Sequence, residues 1–282
     1  MRPVRLLACT LLPLFVACAT ARPTPTPSPT TAPSSGYAAK PDFARVERDH
    51  PLTPAERAAL TPESLSKLSQ DEIDQIYARL TAGPIPDGPH QGTVIFARGG
   101  SLPRLEEILG GVKGFLAKKA VQDLEQAAEF LWKGKVFYRD KRELRNQITN
   151  RKKLARLFKA DVSRMRTATI DGREVGLLFP AKLYCGQSLL DSRRESVIID
   201  YFFGDEIDGY LPEIDGIAGR GGLQIRDEIR MVRPGFYLGR AYVAKLFLLN
   251  FTLYNEEVAA RGGEVREDCR PGAQQVASAG GR

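Results

Sequence analysis

The chain has few of the residues from which metal and cofactor sites are usually built. Its 282 residues include two histidines and four cysteines, with no HExxH or HxH motif and no cysteine pair at zinc spacing. The sequence therefore predicts no metal site and no cofactor. An arginine-rich tract is also absent, which argues against nucleic acid as the partner of a chain whose net charge is +7.

Familiar catalytic motifs are missing as well. The stretch "ARGGSLPR" at residues 97–104 has glycines but lacks the lysine of a P-loop. The stretch "CGQSLLDS" at residues 185–192 brings a cysteine, a serine and an aspartate together, without an elbow motif around Ser188. His50 and His90 both fall in segments that predict exposed loops. These patterns predict no catalytic residue.

The N-terminus holds a short apolar run after two arginines. This run, "LLACTLLPLFVA", is too short to span a bilayer as a helix. It leads into "LFVAC", which resembles the lipobox of bacterial lipoproteins. The resemblance implies that residues 1–17 are a signal peptide and that Cys18 carries the lipid. Two alternatives remain open, namely ordinary secretion with cleavage after Ala21 and an uncleaved anchor.

Residues 18–42 predict a tether. The segment alternates proline with serine and threonine, a composition typical of an extended, semi-rigid spacer. Ala19, rather than an aspartate, follows Cys18, and by resemblance to enterobacterial sorting this implies the outer membrane, with the domain facing the periplasm. The predicted partner is therefore a membrane, reached through the lipid anchor.

Removal of the signal peptide changes the charge and the cysteine count. Residues 1–17 contain two arginines and no acid, so the net charge falls from +7 to +5. One of the four cysteines is lost with them. If Cys18 is acylated, Cys185 and Cys269 remain in an oxidising compartment and are candidates for a disulfide.

The rest of the chain divides into helical and strand-rich parts. Residues 43–85 predict short helices, because Thr-Pro pairs and a capping box stand at helical starts. Residues 103–132 carry apolar stripes at helical spacing and predict a second helical region whose stripes are core. Residues 259–282 predict a flexible tail.

Residues 86–258 predict an antiparallel, barrel-like sheet with a helical lead-in. Several hairpin patterns follow one another, and their turns include Asp171-Gly172 and Pro234-Gly235. Few crossover helices separate the strands, which favours a sheet that closes or nearly closes. Residues 204–222 predict a long loop or lid. The fold class is therefore α+β, with N-terminal helices packed on the sheet.

The segment "QIRDEIRMVRPGFYLGRAY" at residues 224–242 concentrates charge in predicted strands. Arg226, Glu228 and Arg230 alternate on one face, which predicts a solvated or cross-strand-paired surface. Asp227 falls on the opposite, apolar face, where an unpaired carboxylate is costly. A Pro234-Gly235 turn would place Asp227 opposite Tyr242, with Arg240 as its diagonal neighbour.

This register predicts an inward cluster of Asp227, Arg240 and Tyr242, and a one-residue shift would separate its members. The cluster has three interpretations: a structural brace, the polar end of a ligand cavity, or an acid–base site. Asp200 and Tyr201 are further candidates for the lining of the same cavity.

The motif Trp-x-Gly-Lys-x-Phe at residues 132–137, the hairpins that follow it and "GFYLGRAY" resemble calycin-type barrels, the lipocalin-like ligand carriers. They also resemble uncharacterised bacterial proteins with a W-x-G-K opening and an "RDEIR" strand. Trp132 is predicted to plug one end of the sheet, while Lys133 and Lys135 reach water. The order of Trp132 and Gly134 reverses the lipocalin Gly-x-Trp, so the resemblance assigns no binding residue.

Together these patterns predict a membrane-anchored envelope lipoprotein that binds a small amphipathic or lipid-like ligand in a barrel cavity. One alternative is an enzyme that acts on a lipid or isoprenoid-like substrate, with Asp227 or Asp200 as acid or base. A purely structural envelope protein is the other alternative.

Overall fold

The computed structural model describes residues 41–95, 132–158, 161–262 and 268–269. The predicted signal peptide, Cys18 and the tether up to residue 40 lie outside the described residues, as do "ARGGSLPR", nearly all of the predicted helical region 103–132 and most of the predicted tail. The N-terminal anchor therefore stays a prediction.

Short helices occupy the predicted helical segment. The described helices there are α1 (Phe43–Asp49), α2 (Pro54–Ala59), α3 (Pro62–Ser66) and α4 (Gln70–Ala78). Capping boxes begin the last three, because the side chains of Thr53, Thr61 and Ser69 accept hydrogen bonds from backbone N–H groups three residues later. No helix in the described part of the chain is long and apolar enough to cross a membrane.

The sheet contains nine strands in the described residues: β1 (Gly88–Ile95), β2 (Trp132–Tyr138), β3 (Glu143–Ile148), β4 (Arg166–Ile170), β5 (Arg173–Gln187), β6 (Glu195–Asp200), β7 (Ile225–Arg233), β8 (Phe236–Val243) and β9 (Leu246–Tyr254). Between and after them lie helices α5 (Arg151–Phe158), α6 (Pro212–Asp215) and α7 (Glu256–Arg261), with two 3-10 helices, Arg139–Lys141 and Tyr201–Glu206. The predicted loop at residues 204–222 thus contains α6 and part of a 3-10 helix.

The strands close into an antiparallel barrel. Their order is β3-β2-β1-β9-β8-β7-β6-β5-β4, and an additional pairing of β3 with β5 closes eight of them, leaving β4 paired with β5 alone. The predicted α+β fold with an antiparallel, barrel-like sheet is confirmed. The predicted turns are confirmed as well, because Ile170 pairs with Arg173 across one and Arg233 with Phe236 across the other.

Both sides of the β7–β8 wall are buried. Inside, Ile229, Met231 and Tyr237 belong to the barrel core. Outside, a second core joins the helices to the same strands, with the members Leu65, Ile73, Tyr77, Val232 and Leu238. Helices α3 and α4 therefore cover the outer side of these strands.

Candidate functional site in the barrel cavity

A β-bulge next to the β7–β8 turn sets which side chains enter the barrel. The register shifts by one residue between Met231 and Arg233, so Asp227 pairs with Ala241 and not with Tyr242. Because side chains alternate between the faces of a strand, this shift moves the predicted partners of Asp227 to the other side of the wall.

Arg240 and Tyr242 consequently face outward, toward α4. The Arg240 guanidinium forms an ion pair with Asp74 of α4, and its Nε donates a hydrogen bond of 2.9 Å to the Tyr242 hydroxyl. The predicted inward cluster of Asp227, Arg240 and Tyr242 is therefore wrong. Asp227 alone of the three faces the interior.

Two of the three outward charges of β7, Arg230 and Glu228, are buried rather than solvated. Arg230 is 0 % exposed, and its guanidinium donates to the Ser196 hydroxyl and to backbone carbonyls of Tyr77, Ala78, Asp191 and Arg194. Glu228 is also fully buried; it pairs with Arg226 and accepts from the Leu189 N–H at 2.8 Å. Of the two predicted alternatives, a solvated or a cross-strand-paired surface, the solvated one is therefore wrong, because these charges form a polar brace between helices and barrel.

The barrel interior contains a cavity of about 180 Å³. Apolar side chains form most of its wall, among them Val94, Ile148, Leu154, Ile225, Leu249 and Phe251. Leu223, with 38 % of its surface exposed, lies where the cavity meets solvent. Four buried polar residues line its deep end: Lys135, Asn146, Tyr201 and Asp227. An apolar cavity with a few convergent polar groups is the usual form of a small-molecule site.

These four residues form one hydrogen-bonded cluster. The Lys135 ammonium donates to Asn146 Oδ1 at 2.9 Å, to the Tyr201 hydroxyl at 2.6 Å and to Asp227 Oδ2 at 2.9 Å. The Tyr201 hydroxyl donates to Asp227 Oδ2 at 3.1 Å. Trp132 completes the cluster, since its indole Nε1 donates to Asn146 Oδ1 at 2.8 Å. All three ammonium protons of Lys135 are thus used.

Burial shifts the pKa of the two proton donors. Desolvation lowers the pKa of Lys135, and the nearby charge of Asp227 opposes that shift. Desolvation, reinforced by Asp227, raises the pKa of Tyr201 well above its usual value, so its hydroxyl stays neutral at physiological pH. The cluster therefore combines one ion pair with a phenol that remains a hydrogen-bond donor.

A second bulge brings Trp132 to the inner face that Lys135 occupies. The β2–β3 register shifts between Trp132 and Gly134, and Gly134 has φ +137°, with its position for a Cβ only 2.0 Å from the His90 carbonyl oxygen. The bulge puts Trp132 and Lys135 on the same face. The prediction that Lys135 reaches water is wrong, and the signal that could have corrected it is the apolar Phe137 two residues later on the same face.

The Trp132 ring depends on a glycine in the neighbouring strand. A Cβ at Gly92 of β1 would stand 2.3 Å from the indole ring, so only glycine leaves room for it there. The ring also packs edge-on against Phe251, with centroids 5.7 Å apart. Trp132 is therefore held at the cavity wall and does not simply cover the end of the sheet.

The structure separates Asp200 from Tyr201. Tyr201 lines the cavity, as predicted, whereas Asp200 accepts hydrogen bonds from the Tyr184 hydroxyl at 2.6 Å and from the Phe202 N–H at 3.0 Å. Asp200 is not among the residues that line the cavity, so its predicted role there is corrected.

Cys185 and Cys269 form a disulfide with an S–S distance of 2.10 Å. Position 269 of the predicted tail is therefore tied to the barrel. The carboxylate of Glu195 lies within 4.8 Å of both sulfurs, but cysteines bonded to each other offer no thiolate to a metal.

His90 differs from its prediction as an exposed loop residue. It is 2 % exposed, and its ring packs against Phe137 and Tyr237. His50 is exposed, as predicted.

Comparison with known proteins adds little. No family model matches the chain. No curated protein matches it either. A solved structure described as "Crystal structure of protein from Thermomonospora curvata" is similar at 15% identity and a TM-score of 0.35, over 67% of this chain and 88% of that one. Similarity at that level supports no argument about function.

Proposed function

We propose that the barrel binds a small, neutral, largely apolar molecule that carries a hydroxyl group, with the hydroxyl donating to Asp227. The proposal rests on one observation, namely which of the two carboxylate oxygens of Asp227 accepts hydrogen bonds. Both of its side-chain hydrogen bonds go to Oδ2, from Lys135 and from Tyr201. Within the described residues, Oδ1 is left as an acceptor in a residue that lines the cavity.

Desolvation makes such an acceptor favourable for a donor ligand. A ligand hydroxyl would donate to the charged Asp227 inside a largely apolar cavity, where a charge-assisted hydrogen bond is stronger than in water.

The charge of the cluster favours a neutral ligand. Lys135 and Asp227 already form an ion pair, with both side chains no more than 5 % exposed. A ligand carboxylate would approach Asp227 as a like charge, while the ammonium of Lys135 has no proton left to offer it. Free fatty acids are therefore poor candidates.

The size of the cavity limits the part of the ligand that it can enclose. Its volume of about 180 Å³ is slightly larger than an engineered cavity of about 150 Å³ in another protein that binds benzene. One substituted ring or a short chain would fill it. A longer apolar tail would leave the barrel past Leu223.

The proposal keeps the predicted envelope location. Its support is the "LFVAC" motif, which would place an acyl anchor on Cys18 and the barrel at a membrane where hydrophobic small molecules partition. Replacement of Cys18 by serine should abolish incorporation of labelled palmitate and release the protein from the membrane fraction. If labelled lipid still enters the variant, the anchor lies elsewhere.

An enzyme acting in the same cavity is the second candidate, favoured by Lys135. Burial lowers the pKa of its ammonium, and its protons already bond Tyr201 and Asp227, so a proton would reach a bound polar group through those partners. Asp227 remains a candidate base, whereas Asp200 is outside the cavity. Turnover of a bound ligand, lost in Asp227→Asn while binding persists, would identify an enzyme.

Trp132 provides the test of ligand binding, because the only tryptophan of the chain lines the cavity. Its fluorescence should change on titration of the purified chain with 4-propylphenol. Binding of propylbenzene should be weaker by at least about tenfold, the effect of one lost charge-assisted hydrogen bond, and 4-propylbenzoate, which also brings a like charge to Asp227, should bind more weakly still.

Two matched variants complete this experiment. Asp227→Asn should reduce the preference for the phenol, whereas Asp200→Asn, the same change outside the cavity, should leave it intact. Equal binding of the phenol and the benzoate, or no fluorescence change with any of the three probes, would overturn the proposal.

A further inference from the structure

A second cavity lies on the outer side of the barrel wall and is separate from the interior site. Its volume is about 350 Å³, and it lies between β3, β4 and the loop at residues 207–208. Arg145 of β3 lines it, while the next residue along the strand, Asn146, lines the interior cavity. The two cavities thus take neighbouring residues from opposite faces of one strand.

Arg145 is buried without a full set of partners. It is 4 % exposed, its Nη2 donates to the carbonyl of Asp208, and its Nη1 has no hydrogen-bond partner. A buried guanidinium N–H without an acceptor is costly, since it has lost its water and found no replacement. Arg145, which lines the outer cavity, therefore has a donor without an acceptor.

The strand pairing directs Arg145 to this position. The β3–β5 register shifts between Leu144 and Asn146, where the single residue Arg145 faces two residues of β5, Phe179 and Pro180. Phe179 has φ +50°, a backbone conformation that residues with side chains rarely adopt. Bulges of this kind re-aim a side chain and are frequent beside functional sites.

The charges that face Arg145 leave the cavity positive. Of its two acidic residues, Glu143 pairs with Lys182 at 2.9 Å, and Asp208 pairs with Arg166. Lys141 also lines the cavity, and neither it nor Arg145 has an ion-pair partner in the described part of the chain.

Two further charges influence the Arg145 guanidinium. After burial, the largest effect on its pKa is the like charge of Arg166, which lowers it. Asp215 opposes this shift, but both of its carboxylate oxygens already accept backbone N–H groups, from Phe179 and Leu211 at 2.7 Å each. Tyr138 and Glu143 also oppose the shift, but none of these groups accepts a hydrogen bond from Nη1 of Arg145.

From this geometry we infer that the outer cavity is a binding site for the phosphate or carboxylate group of a small molecule, held by Arg145 with Arg166 and Lys141. A planar guanidinium suits such oxyanions because it can donate two parallel hydrogen bonds. The volume exceeds that of a lone phosphate, so the cavity has space for the organic part of the ligand.

Calorimetry with phenyl phosphate and with benzoate would test this site on the purified chain in phosphate-free buffer. We expect saturable binding of at least one of the two, and the tighter one identifies the preferred oxyanion. Sodium chloride at the same ionic strength should not reproduce the effect. Binding that chloride abolishes or mimics, or no binding of either probe, would overturn the inference.

Variants of Arg145 then locate the site. Arg145→Lys keeps the charge but loses the forked geometry, and should weaken binding by at least about tenfold. Arg145→Met should abolish binding and, because it removes a costly buried charge, should not lower the melting temperature of the ligand-free protein. Arg151→Met, at an exposed ion pair elsewhere, is the control that should bind normally. Unchanged binding in both Arg145 variants would place the anion elsewhere.

The outcome is independent of the interior cavity. Asp227→Asn should leave the oxyanion affinity unchanged, because Asp227 does not line the outer cavity. If Asp227→Asn and Arg145→Met reduced oxyanion binding equally, the two cavities would not be separate sites and the inference would fail.

Discussion

Asp227 and Arg240 lie on adjacent strands but face opposite sides of the barrel wall. Asp227 pairs inside with Lys135, and Arg240 pairs outside with Asp74. One sheet thus separates a cavity with an ion pair at its deep end from a polar brace that holds the helices. The charged stretch at residues 224–242 serves both, with successive side chains contributing to different sides.

The inner pair should be strongly coupled. Lys135→Met leaves the carboxylate of Asp227 buried without its cation, and we expect the free energy of unfolding to fall by about 3–5 kcal/mol. The double variant Lys135→Met/Asp227→Leu should recover most of that loss, because apolar residues of similar size replace both charges. Urea unfolding of the four forms measures the coupling.

Lys133 is the control for this cycle, since it neighbours Lys135 in β2 but is exposed. Lys133→Met should change the free energy of unfolding by less than about 0.5 kcal/mol. Losses that simply add in the Lys135/Asp227 double variant would show that the two charges do not interact.

The outer brace depends on Arg230. Its guanidinium donates to the carbonyls of Tyr77 and Ala78 at the end of α4, and the Tyr77 carbonyl also accepts from the Leu80 N–H at 3.1 Å. Arg230→Lys cannot reach all of these acceptors, and we expect a loss of about 2–4 kcal/mol in urea unfolding. Arg226→Lys, at a more exposed position in the same strand, should cost less. Equal losses at the two positions would contradict the brace.

The closed sheet could be predicted because its turns have local signals. Asp171-Gly172 and Pro234-Gly235 fix hairpins through the φ that each glycine allows, with φ +72° and φ +73°. Short connections join β2 to β3, β4 to β5, β5 to β6, β7 to β8 and β8 to β9, and that part of the strand order follows from neighbours in sequence. These rules need only a few residues of sequence at a time.

The site was harder to predict because bulges decide which residues face inward. The bulge between Met231 and Arg233 has no glycine to mark it, so the predicted pairing of Asp227 with Tyr242 failed. The bulge at Gly134, by contrast, is marked by its glycine. Side chains alternate along β2, so Lys135 shares the inward face of Phe137, two residues away.

Burial of the outer charges depends on a different kind of information. Arg230 and Glu228 are covered because residues 62–80 pack on the outside of β7 and β8. The position at which a helix packs on a sheet depends on residues far apart in the sequence. The alternating charges of β7 alone are as typical of a solvated face as of a face covered by helices.

His90 should make stability sensitive to acid. Burial lowers its pKa from about 6.5 to about 4, against smaller opposing contributions from the Gly88 carbonyl and Asp87. The unfolded chain therefore binds a proton that folded His90 does not, and stability falls as the pH drops from about 6.5 to about 4. The full effect is about 3 kcal/mol.

Urea unfolding at a series of pH values checks this prediction. His90→Leu should make the stability curve flatter in that window, whereas His50→Leu, at the exposed histidine, should leave the slope unchanged. A wild-type curve that stays flat between these pH values would show that His90 is protonated equally in both states.

The disulfide should stabilise the barrel by constraining the unfolded chain. Cys185 and Cys269 are 84 residues apart in sequence, and closure of so long a loop is worth about 4–5 kcal/mol in the chain-entropy model, with measured losses usually about 2–5 kcal/mol.

The double variant Cys185→Ser/Cys269→Ser should therefore melt at a lower temperature than the wild type, and dithiothreitol should lower the wild-type melting temperature in the same way. The reductant should have no further effect on the double variant, which is the internal control. Alkylation and mass spectrometry should verify that both thiols are free after reduction. If the melting temperature of the reduced wild type is then unchanged, the disulfide has no stabilising role, because packing already fixes the two segments that it joins.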